Sequence, residues 1–169
     1  KRSIPILHRS DLLAAIVASH RTIAVCGTSG KSTVTAMIFE ILRGCGRDPS
    51  VIAGANLLRL NEEGLLGNAF KGGSGILVME ADESDGTLVK YHAEKALFLN
   101  ISKDHNPVPV TLELFNRLSS QTPFVIKNAD DPGLHSINAA HTFGLSDRAA
   151  CRPEAVKAVT PFVRFTWKG

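Results

Sequence analysis

The most constraining feature of this sequence is a glycine turn, Gly27-Thr28-Ser29-Gly30-Lys31-Ser32-Thr33, set between two segments of opposite character. Before it, the Thr-Ile-Ala-Val-Cys run at 22–26 is short and β-branched, which reads as a buried strand. After it, residues 31–43 place Val34, Met37, Ile38, Ile41 and Leu42 at helical spacing, and Gly44 and Gly46 are the expected stops. Few architectures carry a strand through glycines directly into a helix.

The chemistry of such a turn is specific. Glycines let the backbone turn tightly and approach a ligand closely. The first N–H groups of the helix lack intrahelical partners and sit at its positive end, so they aim at an anion. Lys31 adds a mobile positive charge, and the Ser32 hydroxyl is placed to ligate Mg²⁺ beside a phosphate. The spacing, Gly-x-x-Gly-Lys-Ser-Thr, is shorter than that of the common phosphate loop, whose first glycine would fall at Val25. The alternative is a plain helix-capping turn with Lys31 as a solvated side chain. Strand, loop, lysine, hydroxyl pair and helix agree on the phosphate loop.

The rest of the chain repeats the alternation. Expected strands are 50–53, 75–79, 96–99, 124–126 and 142–145, with helices over 11–19 (capped by Ser10), 111–120 and 131–139. Residues 54–74 hold five glycines and read mostly as loop. The tail, 155–159 and 162–167, alternates around Thr160-Pro161 as an antiparallel hairpin. The expected fold class is α/β: a P-loop-containing, mainly parallel sheet flanked by helices, with a C-terminal antiparallel hairpin. A length of 169 residues suits one domain.

Two further strand ends carry polar groups, and ligands of open α/β sheets bind there. The strand at 75–79 runs into Glu80-Ala81-Asp82-Glu83-Ser84-Asp85. Glu80 is the best placed to bind Mg²⁺ or orient water, and a cation would relieve the repulsion among four acids. A solvated acidic loop is the other reading. The strand at 96–99 leads to Asn100-Ile101-Ser102-Lys103-Asp104-His105. His105 is either a metal ligand oriented by a neighbouring acid or a surface residue. Asn128-Ala129-Asp130-Asp131 after 124–126 reads locally as an Asx-type turn. Lys127-Asn128-Ala129-Asp130 has the wrong order for guanine recognition, which sets a GTPase aside.

Composition removes other classes. Lys and Arg number 19 against 16 Asp and Glu, scattered without a dense run, and aromatics are 6%. Nucleic-acid binding is therefore not expected. No apolar stretch nears the ~20 residues of a membrane span, so no membrane role is expected. Cys26, Cys45 and Cys151 fit no zinc spacing, and an odd number points to reduced thiols and a cytoplasmic setting.

Taken in order, residues 27–33, 80–85, 100–105 and 128–131 resemble the central ATP-binding domain of the Mur ligase family, which builds the peptide stem of bacterial peptidoglycan. The Glu-Ala-Asp-Glu-Ser-Asp string is most like the branch that joins L-alanine to UDP-N-acetylmuramate and its relative that recycles murein peptides. Ile4-Pro5-Ile6-Leu7 and Thr142-Phe143-Gly144-Leu145-Ser146 look like that branch too. The resemblance implies an ATP-dependent amide-bond ligase. In that family a substrate carboxylate takes the γ-phosphate of ATP, and an amino group captures the acyl phosphate.

It also implies roles. Residues Gly27, Thr28, Ser29, Gly30, Lys31, Ser32 and Thr33 cradle the nucleotide, with Lys31 on the β- and γ-phosphates, and Asn128 joins the nucleotide contacts. Ser32 binds Mg²⁺, Glu80 is shared between two Mg²⁺ sites, and His105 binds the second. Catalysis falls to Lys31, Glu80 and His105. The chain departs from the family at Ser29, where His or Asn is usual, and at Asn106-Pro107, where Met-Asp is common. No lysine lies between His105 and Ser120, which fits the alanine-adding branch. The expected extent is residues 1–169 as a central domain, without the family's UDP-binding and C-terminal ligase domains, and inactive alone as a ligase. A folylpolyglutamate- or cyanophycin-type ligase and a non-catalytic nucleotide-binding module are the alternatives.

Overall fold

The computed structural model describes residues 6–159 and 162–167. The expected Thr160-Pro161 turn and the Ile4-Pro5 pair lie outside the described residues. The strands are β1 (Arg21–Cys26), β2 (Ser50–Ile52), β3 (Ala69–Phe70), β4 (Ile76–Glu80), β5 (Lys95–Phe98), β6 (Phe124–Asn128) and β7 (His141–Phe143). They form one sheet in the order β3-β2-β4-β1-β5-β6-β7. Every pairing is parallel except β2 with β3. A separate antiparallel pair, β8 (Ala155–Val159) and β9 (Phe162–Thr166), closes the described chain, as expected.

The centre of the sheet is buried on both faces, which is why its strands are apolar throughout rather than alternating. Ala24 and Cys26 of β1 join Val17, Leu77, Met79, Phe98, Phe115 and Leu118 in the larger core. Val17 belongs to α1 (Arg9–Ala18), and Phe115 and Leu118 to α4 (Val108–Ser120), so these helices cover one face. Val25, one residue out of phase, packs with Val78, Leu99 and Val34, Ile38 and Leu42 of α2 (Lys31–Gly44) on the other. Register then positions the loops. Val25 pairs with Glu80, and Cys26 pairs with Phe98. The loops after β1, β4 and β5 therefore leave the sheet side by side.

Several expectations change at element ends. Helix α1 begins at Arg9 and its cap is His8, whose Nδ1 accepts the Ser10 N–H at 3.2 Å. Ser10, expected as the cap, is instead buried, and its hydroxyl accepts from Lys90. Helix α2 runs through Gly44 and stops in the turn at Gly46. Helix α4 starts three residues early, at Val108, because Pro107 and Pro109 suit a first turn, where N–H groups are unpaired anyway. The 54–74 segment contains α3 (Leu58–Glu62) as well as β3. Leu57 and Leu60 anchor it by packing on Phe39 and Val51.

The expected helix over 131–139 shrinks to a 3-10 turn at Pro132–Leu134. The backbone closes i to i+3 bonds here, Leu134 N–H to Asp131, His135 N–H to Pro132 and Ile137 N–H to Leu134, and the Lys127 ammonium holds the carbonyls of Leu134, His135 and Ile137 at 3.1, 3.1 and 2.7 Å. Strand β7 ends at Phe143 rather than 145, because Asp130 captures the N–H groups of Leu145 and Ser146. A second 3-10 turn, Thr87–Lys90, follows the acidic string. Among the described residues no helix is long and apolar enough to cross a membrane.

Candidate functional site

The glycine turn lies at the carboxyl end of central β1, as expected. Gly27 (φ +152°) and Gly30 (φ +78°) adopt conformations that a side chain resists, and Gly30 caps α2. Asn100, just past β5, holds the turn closed. Its Oδ1 accepts the Ser29 N–H at 3.0 Å and the Thr28 hydroxyl at 3.0 Å, and its Nδ2 donates to the Ser29 carbonyl at 3.0 Å. The Thr28 hydroxyl also accepts the Ser102 N–H at 2.9 Å. The loop is therefore tied to its neighbour strand from one side, leaving the α2 side open.

On that open side Thr28, Ser29, Gly30, Lys31, Ser32, Thr33 and Glu80 line one cavity of about 220 Å³. The structure thus joins six residues of the turn with the first acid of the acidic string. Glu80 is oriented by the Gly54 N–H, which donates to its Oε2 at 2.8 Å. The Ser32 hydroxyl and the Glu80 carboxylate on one cavity form a hard oxygen donor set that fits Mg²⁺.

Lys31 is not the solvated side chain of the plain-turn alternative. Its side chain is 10% exposed and its Nζ donates to Glu83 Oε2 at 2.9 Å. The Glu83 side chain is only 2% exposed. The acidic string consequently splits by role. Asp82 accepts from the N–H and hydroxyl of Ser84, and Asp85 from those of Thr87. Glu83 neutralises Lys31, and Glu80 faces the cavity. Turn caps and an ion pair thus engage three of the four acids. Beneath the loop, burial pushes the Cys26 thiol far above its usual range; the Glu83 charge adds to this and the Lys31 charge opposes it. That cysteine is an inert core residue.

Three predicted residues do not line the cavity: Gly27, which opens the turn, and His105 and Asn128. His105 is exposed, with Nε2 4.0 Å from Asp104 Oδ2. Among the described residues no three His, Cys, Asp or Glu side chains converge as a metal cluster. Asn128 forms the expected Asx turn, accepting the Asp130 N–H at 2.9 Å, and its Nδ2 donates to the Leu99 carbonyl at 3.1 Å. Sequence reasoning missed Asn100 and Glu83. Asn100 was within reach of it, since ligands and loop contacts of a parallel sheet gather at the carboxyl ends of its central strands. Nothing in the spacing of the string marks Glu83 as its one buried acid.

Comparison with known proteins places this geometry. The Mur ligase middle domain family matches residues 25–166. The UDP-N-acetylmuramate–L-alanine ligase of Thermosynechococcus vestitus is 36% identical over 169 residues, covering 98% of this chain and 34% of that protein. The enzyme of the same name from Nostoc punctiforme is 46% identical over 109 residues, covering 64% and 22%. A crystal structure of UDP-N-acetylmuramate–alanine ligase from Thermotoga maritima superposes with a TM-score of 0.75 at 27% identity, covering 88% of this chain and 34% of that one. A MurF ligase of the same organism, in complex with ADP, shares the fold with a TM-score of 0.71 at 18% identity, covering 96% and 42%. The matched chain spans 34% and 22% of the lengths of the two curated relatives named here.

Proposed function

The chain belongs to the Mur ligase family, and from that premise we propose that it is the nucleotide-binding core of an ATP-dependent amide-bond ligase of peptidoglycan precursor synthesis. The observation that carries this reading is the single cavity shared by the glycine turn, Lys31, Ser32 and Glu80. The proposed substrates of the whole enzyme are ATP, UDP-N-acetylmuramate and L-alanine. The relatives named for that reaction, at 36% and 46% identity, support this choice over the murein-peptide and folylpolyglutamate branches. A cytoplasmic setting is proposed with it, since its substrates are nucleotides.

In the proposed reaction a carboxylate oxygen of the acceptor attacks the γ-phosphorus. The bond from that phosphorus to the bridging oxygen breaks, and ADP leaves with an acyl phosphate formed. The amino group then attacks the acyl carbon, releasing phosphate and a proton and leaving the amide. The residues of this chain do electrostatic work in the first step. N–H groups at the start of α2 hold the phosphates, and Lys31 offsets charge as two anions approach. Mg²⁺ held by Ser32 and Glu80, with His105 at a second position, supplies further charge neutralisation when bound. Asn128 contributes by fixing the Leu99 carbonyl behind the loop.

Calorimetric titration with Mg·ATP tests the binding half of the proposal. Saturable binding by the 169-residue chain, weakened about 100-fold by Lys31→Ala, is expected; equal affinity for both proteins removes the assignment of the loop. For the ligase half, a chimera can carry this chain in place of the matching third of the Thermosynechococcus vestitus enzyme. L-alanine-dependent phosphate release is expected; its absence would point to a non-catalytic module, and unchanged turnover in Glu80→Ala and His105→Ala would remove the two-metal reading.

A further inference from the structure

The lysine of the loop and a buried carboxylate already satisfy one another, and this poses a question about what happens when phosphate arrives. Lys31 Nζ lies 2.9 Å from Glu83 Oε2, while Asp82 is farther, at 3.9 Å. Glu83 Oε1 is buried and has no hydrogen-bond partner. Asn106 Nδ2 reaches the Glu83 and Ser84 carbonyls at 3.3 and 3.4 Å, which ties the backbone beneath the carboxylate to the loop after β5.

Were Lys31 to swing away to a phosphate, Glu83 would remain in the interior with a charge and no partner on either oxygen. Breaking a buried pair from one side costs more than a half-exposed contact returns. An ammonium, however, has three N–H donors, and Glu83 uses one. Lys31 also lines the cavity, so two donors are left for a phosphate bound there. We propose that Glu83 is a positioning residue that holds the Lys31 ammonium at the loop mouth and stays bonded to it when a nucleotide phosphate binds. The pair is preformed, so the flexible stem of Lys31 is ordered before the ligand arrives. Because the pair is close to neutral, attraction for phosphate rests on short-range N–H contacts more than on net charge. This inference rests on the nucleotide reading above.

A double-mutant cycle on Mg·ATP affinity in the 169-residue chain tests it, using Lys31→Ala, Glu83→Ala and the double variant. The quantity read is the fold-loss caused by Lys31→Ala, first with Glu83 present and then without it. Any direct repulsion between Glu83 and phosphate cancels in that comparison. The loss is expected to shrink at least 5-fold once Glu83 is removed, because an untethered lysine contributes less. Glu83→Gln, whose amide oxygen still accepts from Nζ, is expected to restore most of the contribution. If the alanine variant does not fold, Glu83→Met fills the same space without charge and supplies the cycle. An unchanged Lys31 contribution overturns the proposal, and a larger one shows Glu83 to be a competitor of phosphate. Absence of Mg·ATP binding by the unsubstituted chain instead overturns the nucleotide reading, and this inference with it.

Discussion

Lys31→Ala is expected to destabilise the chain far more than the loss of an ordinary lysine, and more than Glu83→Ala does. The two partners differ in their escape routes. The Lys31 side chain is 10% exposed and borders an open cavity, so an unpaired ammonium can turn toward water. Glu83 is 2% exposed and has no such route. Stranding one member of a buried pair costs about 3–5 kcal/mol, and water entering the vacated lysine channel brings the figure to the lower end, ~3 kcal/mol. Glu83→Ala should cost about 1.5–2 kcal/mol, the low end of the scale for one lost charged hydrogen bond, because the freed ammonium can reach water. Against a total of roughly 5–15 kcal/mol, both variants remain folded. Urea denaturation followed by circular dichroism measures this. With a slope near ~2 kcal/mol/M, the Lys31→Ala midpoint falls by about 1.5 M. Glu83→Gln in that background recovers most of the loss by removing the stranded charge. A shift below ~0.5 M for Lys31→Ala, or a larger shift for Glu83→Ala, would refute the buried-pair reasoning.

Three other outcomes are expected. Asn100→Ala removes four contacts to the turn, so the melting curve should show a loss of about 1–3 kcal/mol, with nucleotide affinity falling at least 10-fold. His105 is 67% exposed, so His105→Ala should leave stability within ~0.5 kcal/mol while raising the Mg²⁺ concentration needed for turnover in the chimera. The Arg21 guanidinium, and then Lys95, hold the Glu94 carboxyl down at about 2. A depressed carboxyl adds stability above its unfolded value near 4.5 that disappears as pH falls through its folded value. Wild type should therefore exceed Glu94→Gln by under ~1 kcal/mol at neutral pH, given the exposure of the pair, with the gap closing between pH 4.5 and 2.

The parts of this molecule that were legible in its sequence are those where several local signals coincide. The 22–43 segment announces strand, turn and helix together, and the structure places them at the sheet centre. Glu80 was legible because a strand end in a parallel sheet is a known place for ligands. The errors arise where distant side chains decide. Pro132 after Asp131 does start a turn at 131–139, yet the segment closes as i to i+3 bonds and its carbonyls are gathered by the distant Lys127. Ser10 has the right chemistry for a cap, but His8 supplies the acceptor and Lys90 draws Ser10 inside. Within Glu80-Ala81-Asp82-Glu83 the acids look alike in sequence. Only the chain path past the end of β4 turns one to the cavity and another into the interior beside Lys31.

A crystal structure of the 169-residue chain grown with Mg·ADP bears most directly on the central claim. The diphosphate is expected on the N–H groups of residues 29–33, with Lys31 Nζ within about 3.2 Å of both a phosphate oxygen and Glu83, and with Ser32 and Glu80 facing the cation. Nucleotide bound elsewhere on the sheet, or a loop whose N–H groups make no phosphate contact, would contradict it.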